Sequence, residues 1–200
     1  MNRFLEKLRD VETEYTDILH LTPNENLMSD LAQRFYSSSV LYNRYHMGSG
    51  IEGVITHGRS WAAKAMPEFD ELIFEAEAKA NKMLNASVTT LNCLSGVHAM
   101  MSTILSTTKV GDIVMTVPSN QGGHFCTSKI LKLTGRENIE TEYDFDRYTF
   151  DVDRLADKFK KSGASALYLD TSVLVNPHPI SQIRNAIGEN AIIIYDASHT

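Results

Sequence analysis

Three short runs of apolar, β-forming residues constrain this chain most: Asp112–Val117 (DIVMTV), Ser165–Asp170 (SALYLD) and Ala191–Asp196 (AIIIYD). Each is continuously apolar rather than alternating, the pattern of a strand covered on both faces. Helical patterns separate them. One opens at Gly122-Gly123-His124 and stops at Gly135, one is capped by Asp151 and runs to Lys161, and one covers Ser181–Ile187 and ends at Gly188. A further short strand is expected over Asn138–Tyr143. Buried strands alternating with amphipathic helices predict an α/β fold with a mostly parallel, doubly wound sheet.

Upstream, Phe4, Leu8, Val11, Tyr15 and Ile18 recur at helical spacing, so Met1–His20 reads as a helix whose apolar stripe must be covered, in one reading by a second subunit. Leu21-Thr22-Pro23 ends it, because proline cannot continue the ladder. Ser29 is placed to cap a short helix over Leu31–Tyr36. Ser37–Ser60 is rich in Ser, Gly, Tyr and His and lacks periodicity, which suits a functional loop or a wrapped interface as well as a mobile surface loop. Pro67 starts a helix with Leu72, Ile73, Ala76, Ala80 and Met83 on its apolar face. Val88–Leu94 is expected as a strand and Ser95–Thr107 as a helix. The expected division is an N-terminal helix and arm over residues 1–60, followed from 61 to 200 by the sheet domain.

The 200 residues carry a net charge of −6 and are 42% hydrophobic, the balance of a soluble globular protein. That acidity argues against nucleic acid as a partner. No apolar run approaches the ~20 residues of a membrane span, and the N-terminus lacks an apolar signal core. Cys93 and Cys126 have no metal spacing and read as reduced thiols of a cytoplasmic protein.

In open α/β sheets, ligands gather beyond the carboxyl ends of the strands. Four expected strands end in polar groups: Ser95-Gly96; Asn120 with Gly122, Gly123 and His124; Asp170, Thr171 and Ser172; and Asp196 with His199. Ser95-Gly96 opens a helix, where backbone N–H groups and the dipole favour a phosphate, though Ser-Gly is also an ordinary helix start. Asp196 follows an apolar strand, so its carboxylate needs a partner. A protonated heterocycle nitrogen would serve, as in pyridoxal phosphate (PLP) enzymes, and so would the N–H groups of a following helix. His124, after two glycines, can stack on a flat ring or be a plain loop residue. His98 and His178 read as structural. A nucleotide-binding fold would predict GxGxxG or GxxxxGK[ST], and neither occurs.

Five segments, in order, resemble serine hydroxymethyltransferases. Leu21–Ser29 (LTPNENLMS) resembles their LIASENYTS. Asn43-Arg44-Tyr45 resembles the start of NKYAEG, and Leu94–Ala99 (LSGVHA) stands where the family has HSGSQA. Gly122-Gly123-His124 matches GGH, and Tyr195–His199 (YDASH) matches VDMAH. The resemblance spans nearly the whole chain and implies the large domain of a fold type I PLP enzyme. By position it implies that Glu25 is the acid–base carboxyl near the reacting hydroxyl. Tyr45 would reach the phosphate of a neighbouring subunit's cofactor, and Ser95 and Gly96 would cradle the phosphate. His124 would stack on the pyridine ring, and Asp196 would hold the ring nitrogen protonated. His199 would contact the ring hydroxyl or the substrate, with Ser172 near that same hydroxyl. A homodimer or dimer of dimers is implied, acting on serine, glycine or threonine, with tetrahydrofolate as a second cofactor if the transfer is folate-dependent.

The chain departs from the family at several points. SEN becomes Asn24-Glu25-Asn26. The family's tyrosine pair before two glycines has no counterpart in Ile51–Trp61, where His57 is the nearest substitute. Val97-His98 replaces Ser-Gln. These changes bear on folate-dependent transfer more than on PLP binding, and a folate-independent threonine aldolase or transaldolase of specialised metabolism would accommodate them. A PLP-fold relative kept as a non-catalytic binding or regulatory protein is the other alternative. The Schiff-base lysine is expected beyond Thr200, since Lys129, Lys132, Lys160 and Lys161 fall on amphipathic helices. The chain is therefore expected to be the N-terminal part of a longer enzyme.

Overall fold

The computed structural model describes residues 2–19, 21, 27–39, 47–48, 61–62, 68–144, 146–172 and 174–199. Its contacts divide the chain into two compact units, residues 27–99 and residues 1–26 with 100–200.

Helix α1 (Asn2–Thr16) forms but stops short of the expected His20, leaving Ile18 outside it, and its apolar stripe, Phe4, Leu8, Val11 and Tyr15, stays exposed. In the unit of residues 27–99, Ser29 caps α2 (Asp30–Tyr36) by accepting the Ala32 N–H at 3.2 Å. Strands β1 (Met47–Gly48) and β2 (Trp61–Ala62) pair antiparallel. Helix α3 (Glu68–Leu84) ends where Asn85 turns left-handed, at φ 49°, letting the Ala86 N–H reach the Asn81 carbonyl at 2.9 Å. Val88–Leu94 corrects the expectation of a strand. It has no strand partner among the described residues, and Val88, Leu91 and Leu94 lie exposed. An apolar run becomes a strand only where a neighbouring chain supplies the ladder. Helix α4 (Gly96–Thr107) follows.

The second unit holds the sheet: β3 (Ile113–Thr116), β4 (Glu137–Glu140), β7 (Ala166–Leu169) and β8 (Ile192–Tyr195). They lie in the order β4-β3-β7-β8, all parallel. Helix α5 (Thr127–Leu133) links β3 to β4, α6 (Val152–Ser162) leads back across to β7, and α7 (Ile180–Ile187) joins β7 to β8. A small antiparallel pair, β5 (Tyr143–Asp144) with β6 (Thr149–Phe150), precedes α6. The strand expected over Asn138–Tyr143 is thus split in two. The helix expected to open at Gly122 starts instead at Thr127, because Gly122, at φ 90°, ends a 3₁₀ turn over Ser119–Gln121.

Alternation along the strands separates two cores. Met115, Leu167 and Leu169 pack with Leu155 and Phe159 of α6 and Ile183 and Ile187 of α7. Val114, Ala166, Tyr168 and Ile194 pack on the other face with Met100 and Ile104 of α4 and Ile130 and Leu131 of α5. This is why the strands read as continuously apolar: each residue in turn meets a helix layer. Asp151 caps α6 by accepting the Arg154 N–H at 3.0 Å, and Gly163, at φ 71°, ends it, both as the sequence predicts. The α/β, mostly parallel, doubly wound architecture stands, and it carries a topological consequence. From β3 the chain moves outward to β4 on one face, then returns over the other face to β7 and β8, so the winding reverses between β3 and β7.

Candidate functional site

The winding reverses between β3 and β7, and the carboxyl ends of the strands at such a point are the ordinary ligand position of an open α/β sheet. After β3, Gly123 donates its N–H to the Pro118 carbonyl at 2.9 Å. A Cβ at Gly123 would lie 2.0 Å from the Val117 carbonyl oxygen. Gly123 therefore admits a close approach of backbone in this tight turn. The turn delivers His124, half-buried, whose Nδ1 accepts the Cys126 N–H at 3.3 Å. In the neutral imidazole that bond puts the proton on Nε2. Phe125 lies beside it, ring centroids 4.8 Å apart.

The loop after β7 is stitched to this turn. Thr171 bridges Gly123, and the Ser172 N–H donates to the Gly122 carbonyl at 2.7 Å. Ser172 thereby sits beside the His124 turn. Asp170, which closes β7, is buried, and its Oδ2 accepts both the Thr127 hydroxyl and the His124 N–H, the latter at 3.2 Å. Burial pushes its carboxyl up to about 6, against the lowering effect of those two donors, and the charge of Asp196 adds to the rise.

Asp196 follows β8, with its own N–H on the Leu169 carbonyl at 2.8 Å. Its Oδ1 accepts the Ser198 N–H at 3.0 Å and the Ser198 hydroxyl at 2.5 Å. Its Oδ2 accepts the Tyr168 hydroxyl at 3.3 Å. Asp196 thus makes a local turn through Oδ1, while Oδ2 faces Tyr168. The Tyr168 phenol is driven strongly upward by burial, then by Asp196 and Asp170, so it stays a neutral donor. His199 lies half-buried three residues beyond Asp196.

Ser95 and Gly96 belong to the unit of residues 27–99 and are described apart from the sheet. Ser95 caps α4 by accepting the His98 N–H at 3.1 Å, while His98 Nδ1 accepts the Leu94 N–H at 3.0 Å. That reciprocal capping gives His98 a structural job, as expected. A Cβ at Gly96 would meet nothing within 4 Å, so the helix start is open. Glu25, Tyr45 and His57 lie outside the described residues.

The structure joins Ser172 to the His124 turn, and there and at Asp196 it gives bonds to three groups that sequence reasoning gave no role, Asp170, Thr127 and Tyr168. Asp170 stood among the strand-end polar groups without a function. Thr127 and Tyr168 looked like ordinary helix and strand residues, and only a charged residue ending an apolar run gave any signal. His178 is buried, its Nε2 on the Thr171 hydroxyl, with Phe150 and Tyr195 rings 5.0 and 5.5 Å away. Burial lowers its pKa. A hollow of about 380 Å³ beside Tyr143, Asp151 and Arg154 contains none of the site residues. Among the described residues no group of three or more His, Cys, Asp and Glu could hold a metal ion, and no helix is long and apolar enough to cross a membrane.

Two local features, each within its own unit, have chemistry that suits PLP. Asp196 offers a half-buried carboxylate at a strand end, suited to a protonated ring nitrogen, and α4 offers an open N-terminus with Ser and Gly, suited to a phosphate.

No family model matches the chain. It is 31% identical to a fluorothreonine transaldolase of Streptantibioticus cattleyicolor over 98% of its length and 31% of that protein's. It is 26% identical to a serine hydroxymethyltransferase of Pyrobaculum arsenaticum, over 92% of the chain and 41% of the relative. An L-threonine transaldolase structure from Pseudomonas fluorescens superposes with a TM-score of 0.80 at 20% identity, over 98% of the chain and 44% of that structure. The chain thus spans less than half the length of these relatives. Sheet order and these likenesses give the chain the α/β fold found in fold type I PLP-dependent enzymes. Within that class the chain is serine-hydroxymethyltransferase-like.

Proposed function

We propose that this chain forms part of a PLP-dependent enzyme that makes or breaks the Cα–Cβ bond of a β-hydroxy amino acid. Asp170 carries the reading: its Oδ2 accepts the His124 N–H and it feels the charge of Asp196, which links the His124 turn to the end of β8. Bound PLP would supply an electron sink for the bond's electron pair. Asp196 Oδ2 would hold the ring nitrogen protonated, with Tyr168 keeping the carboxylate in place. His124 would lie against the ring face, and Ser172 and His199 would hold the ring hydroxyl and orient the substrate. Ser95 and Gly96 would bind the phosphate through the open end of α4. Glu25 would move the proton at the substrate's β-hydroxyl, and Tyr45 would reach a neighbouring subunit's phosphate. That role for Tyr45 makes a homodimer or dimer of dimers part of the reading, as is an arm over residues 1–60 with a cofactor domain from 61.

Two reactions share this machinery: folate-dependent interconversion of serine and glycine, and folate-independent aldol or transaldol chemistry on threonine or serine. Asn24-Glu25-Asn26 in place of SEN, and the likeness to a fluorothreonine transaldolase, favour the second. The relatives also include an α-methylserine aldolase of a Ralstonia species, 26% identical over 92% of the chain and 40% of that protein. The deciding experiment records visible absorbance of the natural protein with PLP on adding L-serine, then L-threonine, each with and without tetrahydrofolate, and assays released aldehyde. Threonine cleavage without folate, quickened by an acceptor aldehyde, selects the transaldolase reading. Serine turnover that needs folate selects hydroxymethyl transfer. Absence of any amino-acid-dependent spectral change refutes both and leaves a binding or regulatory protein.

A further inference from the structure

Asp170 is a costly residue to place where it lies. It is only 3% exposed, at the end of the central strand β7, where a charge is poorly solvated. Its two oxygens are used unequally. Oδ2 takes two donors from the segment after β3, the His124 N–H and the Thr127 hydroxyl, while Oδ1 has no partner among the described residues. Thr127's hydroxyl is held between that oxygen and Met100 Sδ, 3.7 Å away. The same oxygen thus fixes both ends of His124-Phe125-Cys126-Thr127, across the reversal point of the sheet. The neighbouring stitches, Gly123 to Thr171 and Ser172 to Gly122, are backbone links and fix only the glycines before it.

We propose that Asp170 is the positioning residue of His124: by holding the main chain from His124 to Thr127 against the end of β7, it sets where the imidazole stands over the ring the site receives. This rests on the PLP reading. The groups facing Asp170 are Thr127 and His124 from the segment after β3 and, on the sheet side, Tyr168 and Asp196. Because only one oxygen is engaged, an amide oxygen can take its place, so the role requires an acceptor and not a charge. That separates positioning from an electrostatic effect on the ring.

The test uses the natural holoprotein and its cofactor-free form, with Asp170→Ala and Asp170→Asn. Amide hydrogen exchange of residues 122–127 in the cofactor-free form reads the clamp without the cofactor, and PLP affinity from its visible absorbance reads the consequence. Asp170→Ala is expected to speed exchange at His124 by about tenfold and to weaken PLP binding by a similar factor, the scale of one lost hydrogen bond to a charged group. Asp170→Asn is expected to stay within about threefold of the parent in both, less than half that scale. In the His124→Ala background, Asp170→Ala is expected to weaken PLP no further. Unchanged exchange in Asp170→Ala overturns the proposal. So does an Asn variant as weak as Ala, or additive losses with His124→Ala. If Asp170→Ala does not fold, Thr127→Val removes one of the two donors and must loosen the same amides. A parent that binds no PLP sinks the proposed function, while the exchange arm still decides the clamp.

Discussion

The Tyr168 hydroxyl, from the middle of a buried strand, donates at 3.3 Å to Oδ2 of Asp196 at the end of the next strand. The bond runs along the helix-covered face shared by Ala166, Tyr168 and Ile194, so a core side chain reaches out of the core to hold a site carboxylate. Asp196 is thereby fixed from both sides, by Tyr168 on Oδ2 and Ser198 on Oδ1.

Tyr168→Phe keeps the ring in the core and removes this donor. Stability is expected to fall by about 1–2 kcal/mol, the scale of a hydrogen bond to a charged group, measured by chemical denaturation. If Asp196 holds the ring nitrogen as proposed, holo spectra should shift as well, because that carboxylate loses a competing donor. A variant matching the parent in both measurements refutes the role given to Tyr168.

Asp170 makes stability depend on pH in an uncommon direction. Its carboxyl is raised from 3.8 to about 6, so the fold binds its proton more tightly than the unfolded chain does. Its favourable contribution is complete below about pH 4 and is lost as pH rises through 6. Relative to Asp170→Asn measured at the same pH, the parent should lose roughly 2–3 kcal/mol between pH 4 and 7. Parallel stability curves for the two proteins would disprove the shift.

His178 works in the opposite sense. Burial lowers its pKa below 6.5, so the unfolded chain takes up the proton first and stability declines as pH falls below 6.5. His178→Gln can keep a polar contact to Thr171 while removing the titration. Urea midpoints at pH 7.5 and 5.5 should differ less in this variant than in the parent, and an equal difference counts against the buried neutral histidine.

Gly123→Ala is expected to be severe. Its Cβ would meet the Val117 carbonyl oxygen at 2.0 Å and the carbonyl carbon at 2.7 Å, both main-chain atoms that cannot rotate away. A loss of about 3 kcal/mol or more is expected, as for overpacking against fixed backbone, together with faster exchange at the neighbouring His124 amide. Thermal unfolding within a degree or two of the parent would mean that the turn rearranges freely.

Asp196→Ala tests the proposed chemistry itself. With the fold preserved by circular dichroism, turnover of β-hydroxy amino acids by the natural enzyme should be abolished. Retained turnover removes the ring-nitrogen role.

The sequence by itself determined the parallel α/β order. Apolar strands of four or five residues between amphipathic helices admit few other solutions, and caps such as Asp151 and Ser95 act through neighbours a turn away. It also showed which residues follow the sheet strands as polar groups, Asp170 after β7 and Asp196 after β8. Tertiary structure alone decided the rest. Val88–Leu94 reads as a strand but has no ladder, since pairing depends on a neighbour distant in sequence. Tyr168 reads as core and Thr127 as a helix start, yet each meets a site carboxylate, Tyr168 across 28 residues of chain and Thr127 across 43. Local periodicity reports which face a residue takes. It carries no record of which strand lies alongside, and that register is what turns Asp170, Thr127 and Tyr168 into the frame holding His124 and Asp196.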